Sequence, residues 1–298
     1  LAHAVRAVAL WGDTKGPPRL VANRENAVFE LRLADGRHTA LRLHRAGYQT
    51  DAAIRSELLW TQALADQGFP CPRPVTDLDG QLLGRAASGP CASMTEWIPG
   101  RAMTRPTPDE FHKLGALIRK LHRLSATFVP PKGFERPEWS AKTLVGDAPT
   151  WGQFWRNPSL TPRDAARLTE LREFAQSELA AQSQPTCLIH ADLLAENILT
   201  GPEGLCLIDF DDGGWGPPLY DLGTALVSHV GRPELDDLTD ALADGYALDD
   251  ADRKSLPLFI LLRACASAGW IMTRAAPDDP RQKAYCARAL HFADHLLP

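Results

Sequence analysis

The residue types that could carry chemistry are concentrated between residues 186 and 212, where short apolar runs alternate with polar residues. Cys187-Leu188-Ile189 is an apolar run, and a polar loop follows it. Two further apolar runs, 198–199 and 205–208, flank the turn residues Gly201-Pro202-Glu203-Gly204. This spacing is typical of a β-hairpin. The stretch therefore predicts a strand, a polar loop and then a hairpin.

The predicted hairpin places an amide and a carboxylate at the same end. Asn197 and Asp209 are equidistant from the centre of the hairpin near residue 203. Directly opposite residues of an antiparallel pair have Cβ atoms about 4.5–5.5 Å apart. Amide and carboxylate oxygens are the ligands that a hard cation such as Mg²⁺ prefers. We therefore expect Asn197 and Asp209 to form a Mg²⁺ site, with Asp192 in the loop that leads to it.

The same residues match a known kinase pattern. His190-x-Asp192-x-x-x-x-Asn197, followed by Asp209-Phe210-Asp211, matches H-x-D-x-x-x-x-N and the first two residues of D-F-G. The stretch resembles the aminoglycoside phosphotransferase, choline kinase and type II homoserine kinase superfamily, which has a protein-kinase-like fold. A β-hairpin with incidental polar residues is the alternative interpretation.

The resemblance implies an α+β fold with two lobes. The first lobe, residues 1–97, would hold an antiparallel sheet plus a helix and would cover the nucleotide. The second lobe, residues 98–298, would be mainly helical and would carry the catalytic loop, the metal site and the acceptor site. A chain of 298 residues is long for one hydrophobic core, which also favours two lobes.

The resemblance also implies a role for each residue of the motif. Asp192 would be the catalytic base, and Asn197 and Asp209 would be catalytic through the Mg²⁺ that bridges the phosphates of ATP. His190 would hydrogen-bond the loop as a structural residue, with a proton shuttle as the alternative. Asp221 would brace the catalytic loop, a role that is compatible with its alternative as a helix N-cap.

A strand and a helix upstream carry a candidate ion pair. Residues 38–43 alternate so that Arg42 lies on the face opposite to the leucines of the predicted strand. Residues 51–66 predict a helix in which Glu57 lies beside the apolar stripe, a costly place for an unpaired carboxylate. Arg42 occupies the register of the kinase lysine, so we expect it to pair with Glu57 and to contact the phosphates. A solvated glutamate and a surface arginine are the alternative.

Two further segments are candidates for nucleotide contacts. Residues 20–33 predict two short strands around Asn23-Arg24-Glu25-Asn26, at the place of the phosphate-covering loop, although no G-x-G-x-x-G is present. Backbone N–H groups near Asn26 could still meet phosphates, with a plain hairpin turn as the alternative. Glu96-Trp97-Ile98 resembles the hinge between lobes, which makes Glu96 and Ile98 candidates for backbone contacts to adenine.

Candidate acceptor residues follow the last motif. Asp211 replaces the glycine of D-F-G and Asp212 follows it. This carboxylate pair would suit a substrate with an amine, or would equally cap the following turn. Trp215 is a third candidate. The segment 126–160, rich in Pro and Trp, would cover the acceptor cleft or pack as an ordinary long loop.

The short interval after Asp209 favours a small acceptor. Asp221 follows only twelve positions after Asp209, and no A-P-E motif lies between them, so an activation segment does not fit. The leading interpretation is an ATP- and Mg²⁺-dependent kinase for a hydroxyl of a homoserine-like amino acid, an aminoglycoside or a choline-like alcohol. The alternative enzyme is a bacterial Ser/Thr protein kinase of the compact stress-response type. A nucleotide-binding pseudokinase is disfavoured because base, metal ligands and ion pair are all present.

Composition and charge indicate an ordinary globular protein. The hydrophobic fraction is 44%, the charged fraction is 23%, and the net charge of −5 comes without a basic run, which argues against nucleic acid as a partner. Six scattered cysteines without C-x-x-C pairs predict buried thiols in a reducing cytoplasm. The apolar stretch 256–272 is interrupted by Pro257 and Arg263, so it predicts a buried core helix and no contact with a membrane. We expect a cytoplasmic protein without a signal peptide.

Overall fold

A computed structural model describes residues 2–23, 26–87, 89–181 and 185–296. Arg24 and Glu25, part of the predicted phosphate-covering loop, lie outside the described residues. The chain divides into two compact units. The first unit contains Leu1–Arg101, Thr127–Arg136 and Leu199–Asp211, and the second contains Ala102–Ala126, Pro137–Ile198 and Asp212–Pro298. The first unit thus includes two later segments, whereas the sequence predicts a single boundary near residue 97.

The first unit is built around a five-stranded antiparallel sheet with the strand order β1-β2-β3-β5-β4. A separate three-stranded sheet has the order β6-β8-β9 and contains the predicted hairpin. The elements are α1 (Ala2–Val8), β1 (Arg19–Asn23), β2 (Ala27–Arg32), β3 (His38–Leu43), α2 (Asp51–Asp66), β4 (Leu83–Arg85), β5 (Cys91–Glu96), β6 (Arg101–Ala102), β8 (Ile198–Gly201) and β9 (Gly204–Leu207).

The alternation of β3 decides which side chains face the core of the first unit. Leu41 pairs with Phe29 of β2 and with Met94 of β5, and all three side chains are buried. Burial of each such side chain contributes roughly 1.5–3 kcal/mol. They pack in one cluster with residues of α1 and with Trp11, which follows that helix. Because successive strand residues point to opposite faces, Arg42 projects from the other side of the sheet.

Local capping and packing fix the rotation of α2. Thr50 is the N-cap, and its Oγ1 accepts the N–H of Ala53 at 3.0 Å. This satisfies one of the backbone donors left free at the start of a helix. Ile54, Leu58 and Leu64 of α2 are buried. Glu57 lies on the same buried side, as the sequence predicts.

The second unit is mainly helical, and together with the sheet of the first unit it confirms the expected α+β fold class. Its single two-stranded sheet within the described residues pairs β7 with β10 in antiparallel register. The elements are α3 (Pro108–Thr127), α4 (Ala141–Val145), α5 (Pro162–Ala181), β7 (Cys187–Ile189), β10 (Gly214–Gly216), α6 (Leu219–Leu226), α7 (Leu235–Tyr246), α8 (Asp250–Trp270), α9 (Pro280–Leu290) and α10 (Ala293–Leu296).

The apolar helix α8 lies inside the second unit. The span Asp250–Thr273 is long and apolar enough to cross a membrane, but 78% of its most apolar window is buried within the protein. It begins at Asp250, six residues before the apolar stretch 256–272, because Asp249 caps it. Oδ1 of Asp249 accepts the N–H groups of Ala251 and Asp252 at 3.0 and 2.8 Å. All six cysteines of the chain are free and buried, as predicted.

The sequence does not predict β10 and α6, which follow the D-F-D motif. Close backbone approach explains why β10 is rich in glycine. A Cβ on Gly214 would lie 2.2 Å from the carbonyl oxygen of Pro137, and a Cβ on Gly216 would lie 2.7 Å from Ile189 Cδ1. A three-residue strand of this composition lacks the alternation by which strands are found in a sequence.

Candidate active site

The loop that carries Asp192 begins where β7 of the second unit ends, and Asp221 of α6 fixes its conformation. Ala191 has a φ of 63°, a left-handed value that is costly for a residue with a side chain. The two oxygens of the buried Asp221 carboxylate accept the N–H groups of His190 and Ala191 at 2.9 and 2.6 Å. Hydrogen bonds to a charged acceptor are stronger than neutral ones, which offsets the strain of the turn.

Asp221 is itself held by a histidine that the sequence does not single out. Nε2 of the buried His122 lies 2.9 Å from Asp221 Oδ2, and Nδ1 of His122 lies 2.9 Å from the hydroxyl of Tyr246. The network joins α3, α6 and α7. The signal that could have revealed it is a histidine on the apolar face of α3, since a buried polar side chain requires a partner.

Asp192 is held through both oxygens of its carboxylate. Nδ2 of Asn197 donates to Asp192 Oδ2 at 2.8 Å and to the backbone carbonyl of Asp192 at 2.8 Å. On the other side, Nη2 of Arg263 lies 2.7 Å from Asp192 Oδ1. The Asp192 side chain is still 24% exposed. It is therefore oriented, and it remains accessible to a hydroxyl group.

His190 lies beneath the loop rather than in contact with solvent. Its side chain is fully buried. Its Nδ1 lies 3.3 Å from the backbone nitrogen of Asp192, so the ring accepts the N–H of the residue two positions later. These contacts place His190 as a support of the loop backbone.

In the first unit, one arginine is surrounded by three carboxylates. Nη1 of Arg42 donates to Glu57 Oε1 at 2.9 Å, and Nη2 donates to Asp209 Oδ1 at 3.0 Å. Asp211 Oδ1 lies 3.7 Å from Nη1. Burial lowers the pKa of Arg42, but Glu57, Asp209 and Asp211 raise this pKa by more, so the net shift is upward. The guanidinium is charged at every pH in which the protein is folded.

Asp211 is tied to the first unit by side chains from two earlier segments. Its Oδ2 accepts from Asn26 Nδ2 at 3.0 Å, and its Oδ1 accepts from Gln49 Nε2 at 3.0 Å. Burial, followed by the charge of Glu57, raises the pKa of Asp211 to about 7. Nη2 of Arg136 donates to the backbone carbonyl of Asp211. The sequence does not indicate Gln49 or Arg136, because their partner lies far away along the chain.

Asn197 and Asp209 each offer an oxygen that suits a divalent cation. Within the described part of the chain, neither Oδ1 of Asn197 nor Oδ2 of Asp209 has a hydrogen-bond partner. The Asp209 side chain is 50% exposed, and its φ of 65° is left-handed. The described residues contain no group of three or more His, Cys, Asp or Glu side chains arranged for a metal ion. Mg²⁺ does not need one, because it keeps several waters and takes one or two protein oxygens plus substrate phosphates.

Known proteins share this sequence pattern and this fold. The sequence model of the phosphotransferase enzyme family matches residues 18–259. The chain belongs to this family. The homoserine kinase of Azorhizobium caulinodans is 34% identical over 157 residues, which are 50% of this chain and 44% of that protein. The chain spans about half the length of several of the homoserine kinases it matches.

Solved structures of kinases have the same fold. A microcompartment-associated aminopropanol kinase superposes with a TM-score of 0.86 at 27% identity, over 98% of this chain and 95% of that chain. The amicoumacin kinase hAmiN, solved with AMP-PNP and Ca²⁺, superposes with a TM-score of 0.81 at 20% identity, over 99% of this chain and 92% of that chain. The expectations of a protein-kinase-like fold and of a kinase are therefore confirmed.

Two of the three candidate residues for the acceptor site, Asp212 and Trp215, contact the Trp-rich segment of this kinase. The carbonyl of Asp212 accepts from Nε1 of Trp139 at 2.9 Å. Trp215 lies in β10. Its N–H donates to the carbonyl of Pro137 at 2.8 Å, and its own carbonyl accepts the N–H of Trp139 at 2.7 Å. Trp139 is buried and stacks on Tyr220, with ring centroids 5.9 Å apart. Part of the segment 126–160 therefore packs along β10.

The predicted hinge follows β5. The exposed Glu96 ends the strand, and its N–H donates to the carbonyl of Arg73 at 2.8 Å. The N–H of Trp97 donates to the carbonyl of His38 at 3.0 Å, and the rings of the two residues stack. The half-buried Ile98 comes next. Because the N–H of Glu96 donates to Arg73, it is not available to another acceptor.

Proposed function

We propose that this kinase transfers the γ-phosphoryl group of ATP, in a Mg²⁺-dependent reaction, to a hydroxyl of a small polar molecule. The acceptor classes are a homoserine-like amino acid, an aminoglycoside and a choline-like alcohol. The observation that carries the proposal is the arrangement around Asp192, whose carboxylate is oriented by Asn197 and Arg263 and is still exposed. The kinship with a homoserine kinase and an aminopropanol kinase supports a small alcohol as acceptor.

Asp192 would act as the catalytic base. The transition state of phosphoryl transfer is loose, so the enzyme mainly positions the reacting groups and neutralises charge. The Asp192 carboxylate would accept a hydrogen bond from the acceptor hydroxyl and would take its proton late in the transfer. The brace from Asp221 to Ala191 keeps the loop that presents Asp192 in one conformation.

Arg42, Asn197 and Asp209 would hold the donor. The guanidinium of Arg42, oriented by Glu57, would contact the α- and β-phosphates. Asn197 Oδ1 and Asp209 Oδ2 would be the protein ligands of Mg²⁺. When bound, the cation neutralises charge that develops on the phosphate oxygens. We also propose a cytoplasmic location, because the enzyme would need a supply of its nucleotide donor.

The architecture after the D-F-D motif favours a small acceptor over a protein. In the second unit, residues 214–216 form β10 and pair with β7, and α6 begins at Leu219. A peptide-binding activation segment needs a long loop at this position. The ordered strand and helix leave no such loop.

The experiment is a coupled ADP-release screen over hydroxylated amines, amino acids and aminoglycosides. We expect at least one acceptor class to raise turnover well above the rate with water, and Asp192→Asn to abolish that increase. Asp240→Asn, at an exposed position of α7, is the matched control and should behave as the wild type. If no acceptor raises turnover, and label from γ-³²P-ATP appears on protein instead, the proposal is wrong.

A further inference from the structure

Arg263 is a buried cation in direct contact with the proposed base. It lies on α8, and its side chain is 8% exposed. Its Nη2 is 2.7 Å from Asp192 Oδ1, so the pair is a charge-assisted hydrogen bond. The remainder of α8 that is buried with it consists mainly of apolar and small residues. Contact with solvent therefore does not explain why an arginine occupies this position.

The groups around Arg263 keep its guanidinium charged but leave its Nε without a hydrogen bond of good geometry. Burial lowers the pKa of Arg263, whereas Asp192, Tyr220 and Asp212 raise this pKa by more, and the net shift is upward. Neither Nε of Arg263 nor the hydroxyl of the buried Tyr220 makes a hydrogen bond of good geometry within the described residues, although the two side chains interact with each other. The desolvation cost of a buried ion can match or exceed its Coulombic gain, so the arginine is a weak stabilising element at this position.

The contact has a clear geometric consequence for Asp192. Asn197 holds one oxygen of the carboxylate, and Arg263 holds the other. With only the Asn197 contact, the carboxylate could rotate about its terminal torsion, which has a broad and shallow energy profile. With both contacts it has one orientation. A base that acts by orienting a hydroxyl depends on that orientation.

We propose that Arg263 is a positioning residue for the base of this kinase, an inference that rests on the proposed function. It holds the Asp192 carboxylate in one orientation through the contact between Nη2 and Oδ1. In the transfer, the acceptor oxygen forms a bond to the γ-phosphorus while the bond from this phosphorus to the bridging oxygen of ATP breaks. ADP leaves with the electron pair of the broken bond. The hydroxyl proton passes to Asp192, and Arg263 does not touch the reacting atoms.

The test compares Arg263→Met and Arg263→Lys with the wild type, using an acceptor found by the screen. We expect kcat of Arg263→Met to fall roughly 10- to 100-fold, as for an impaired general base, with KM for ATP changed by no more than about twofold. Arg263→Lys keeps the charge but not the planar fork of donors, so its kcat should be intermediate, a partial rescue that a purely structural role would not give.

Other charged groups lie near Arg263. Asp212 and Tyr220 lie within electrostatic reach of its guanidinium, and burial, together with the charges of Arg232 and Arg263, lowers the pKa of Arg288 on α9. These groups remain in all variants, so a difference between Arg263→Met and the wild type reports on Arg263 itself. Arg253→Met is the matched control, since Arg253 lies on the same helix and pairs with Asp244 near the surface.

The outcomes separate this inference from the proposed function. If Asp192→Asn is inactive but Arg263→Met keeps the kcat of the wild type, Arg263 is no positioning residue and the proposed function stands. If Asp192→Asn retains full activity, the assignment of the base fails, and this inference fails with it. If no acceptor raises the turnover of the wild type, the proposed function itself fails. Thermal melting shows whether Arg263→Met folds. If it does not, Arg263→Gln replaces it as the neutral variant and is held to the same kcat and KM criteria.

Discussion

The carboxylate of Asp221 accepts the backbone N–H of Ala191 at 2.6 Å, and this contact holds Ala191 at a φ of 63°. The left-handed residue lies directly before Asp192, so it sets the direction in which the proposed base leaves the loop. A strained backbone conformation of this kind persists only where neighbouring groups hold it in place. Here the buried carboxylate of Asp221 holds the Ala191 backbone, and His122 holds that carboxylate.

Asp221→Asn should therefore impair both folding and activity. An amide in place of the carboxylate turns one acceptor into a donor, which would face a backbone N–H and leave it unsatisfied. We expect the free energy of unfolding to fall by about 2–3 kcal/mol. We expect kcat to fall at least tenfold, because the loop before Asp192 loses its brace. Denaturant unfolding and the ADP-release assay measure the two effects.

The control for this prediction is Asp240→Asn, which makes the same chemical change at an exposed position of α7. It should change the free energy of unfolding by less than about 0.5 kcal/mol. Wild-type stability in Asp221→Asn would show that the contacts of Asp221 with the loop contribute nothing measurable.

Arg42→Met should weaken nucleotide binding. The variant loses a cation that contacts Glu57 and Asp209, and it leaves those carboxylates to repel the phosphates. We expect the affinity for Mg²⁺ with AMP-PNP to fall roughly 10- to 100-fold, as for a lost hydrogen bond to a charged group. Isothermal titration calorimetry measures it. Arg32→Met, at the exposed end of β2, is the control that should retain wild-type affinity, and an equal effect in both variants would refute the role of Arg42.

Local patterns were sufficient to predict the elements that carry the motifs. The period of two in β3 and the helical stripe of α2 place Arg42 and Glu57 on facing sides, and the side chains meet at 2.9 Å. The hairpin of β8 and β9 follows from two short apolar runs around a Gly-Pro-Glu-Gly turn. Such signals are contained in a few neighbouring residues, so no tertiary information is needed to find them.

The supporting residues could not be found in the same way. Arg263 contacts Asp192 from 71 positions away, and His122 contacts Asp221 from 99 positions away. In the sequence, Arg263 is an interruption of an apolar helix, and His122 is a polar residue on an apolar face. Either pattern indicates that a buried partner is required. Neither pattern identifies the partner, because only the packing of α3, α6 and α8 brings the side chains together.

The cysteines should be unreactive while the protein is folded. Burial raises the pKa of the thiols of Cys71, Cys187 and Cys206 to about 12. Thiolates are the reactive form, so at pH 8 a thiol reagent such as DTNB should label almost none of the six cysteines. In denaturant all six should react. Asp240→Cys should add one fast-reacting thiol, and rapid labelling of several sites in the folded wild type would contradict the burial.

His44 should make the protein less stable in mild acid. Its Nε2 lies 2.8 Å from Ser93 Oγ in the core of the first unit. Burial, followed by the charge of Arg42, lowers the pKa of His44 to about 3. The unfolded chain takes up a proton near pH 6.5, whereas the folded chain does not, so stability from this group is complete above that pH and is lost as the pH falls towards 3.

His44→Gln removes the titration and keeps a hydrogen-bonding atom near Ser93. We expect the stability of the wild type, relative to His44→Gln, to fall by roughly 2 kcal/mol between pH 7.5 and pH 5, which is 1.36 kcal/mol for each unit below 6.5. Urea unfolding at several pH values measures the difference. His112→Gln, at an exposed position of α3, is the matched control and should change the free energy of unfolding at pH 7.5 by less than about 0.5 kcal/mol. If the difference in stability between the wild type and His44→Gln does not change with pH, His44 becomes protonated in the folded protein as readily as in the unfolded chain.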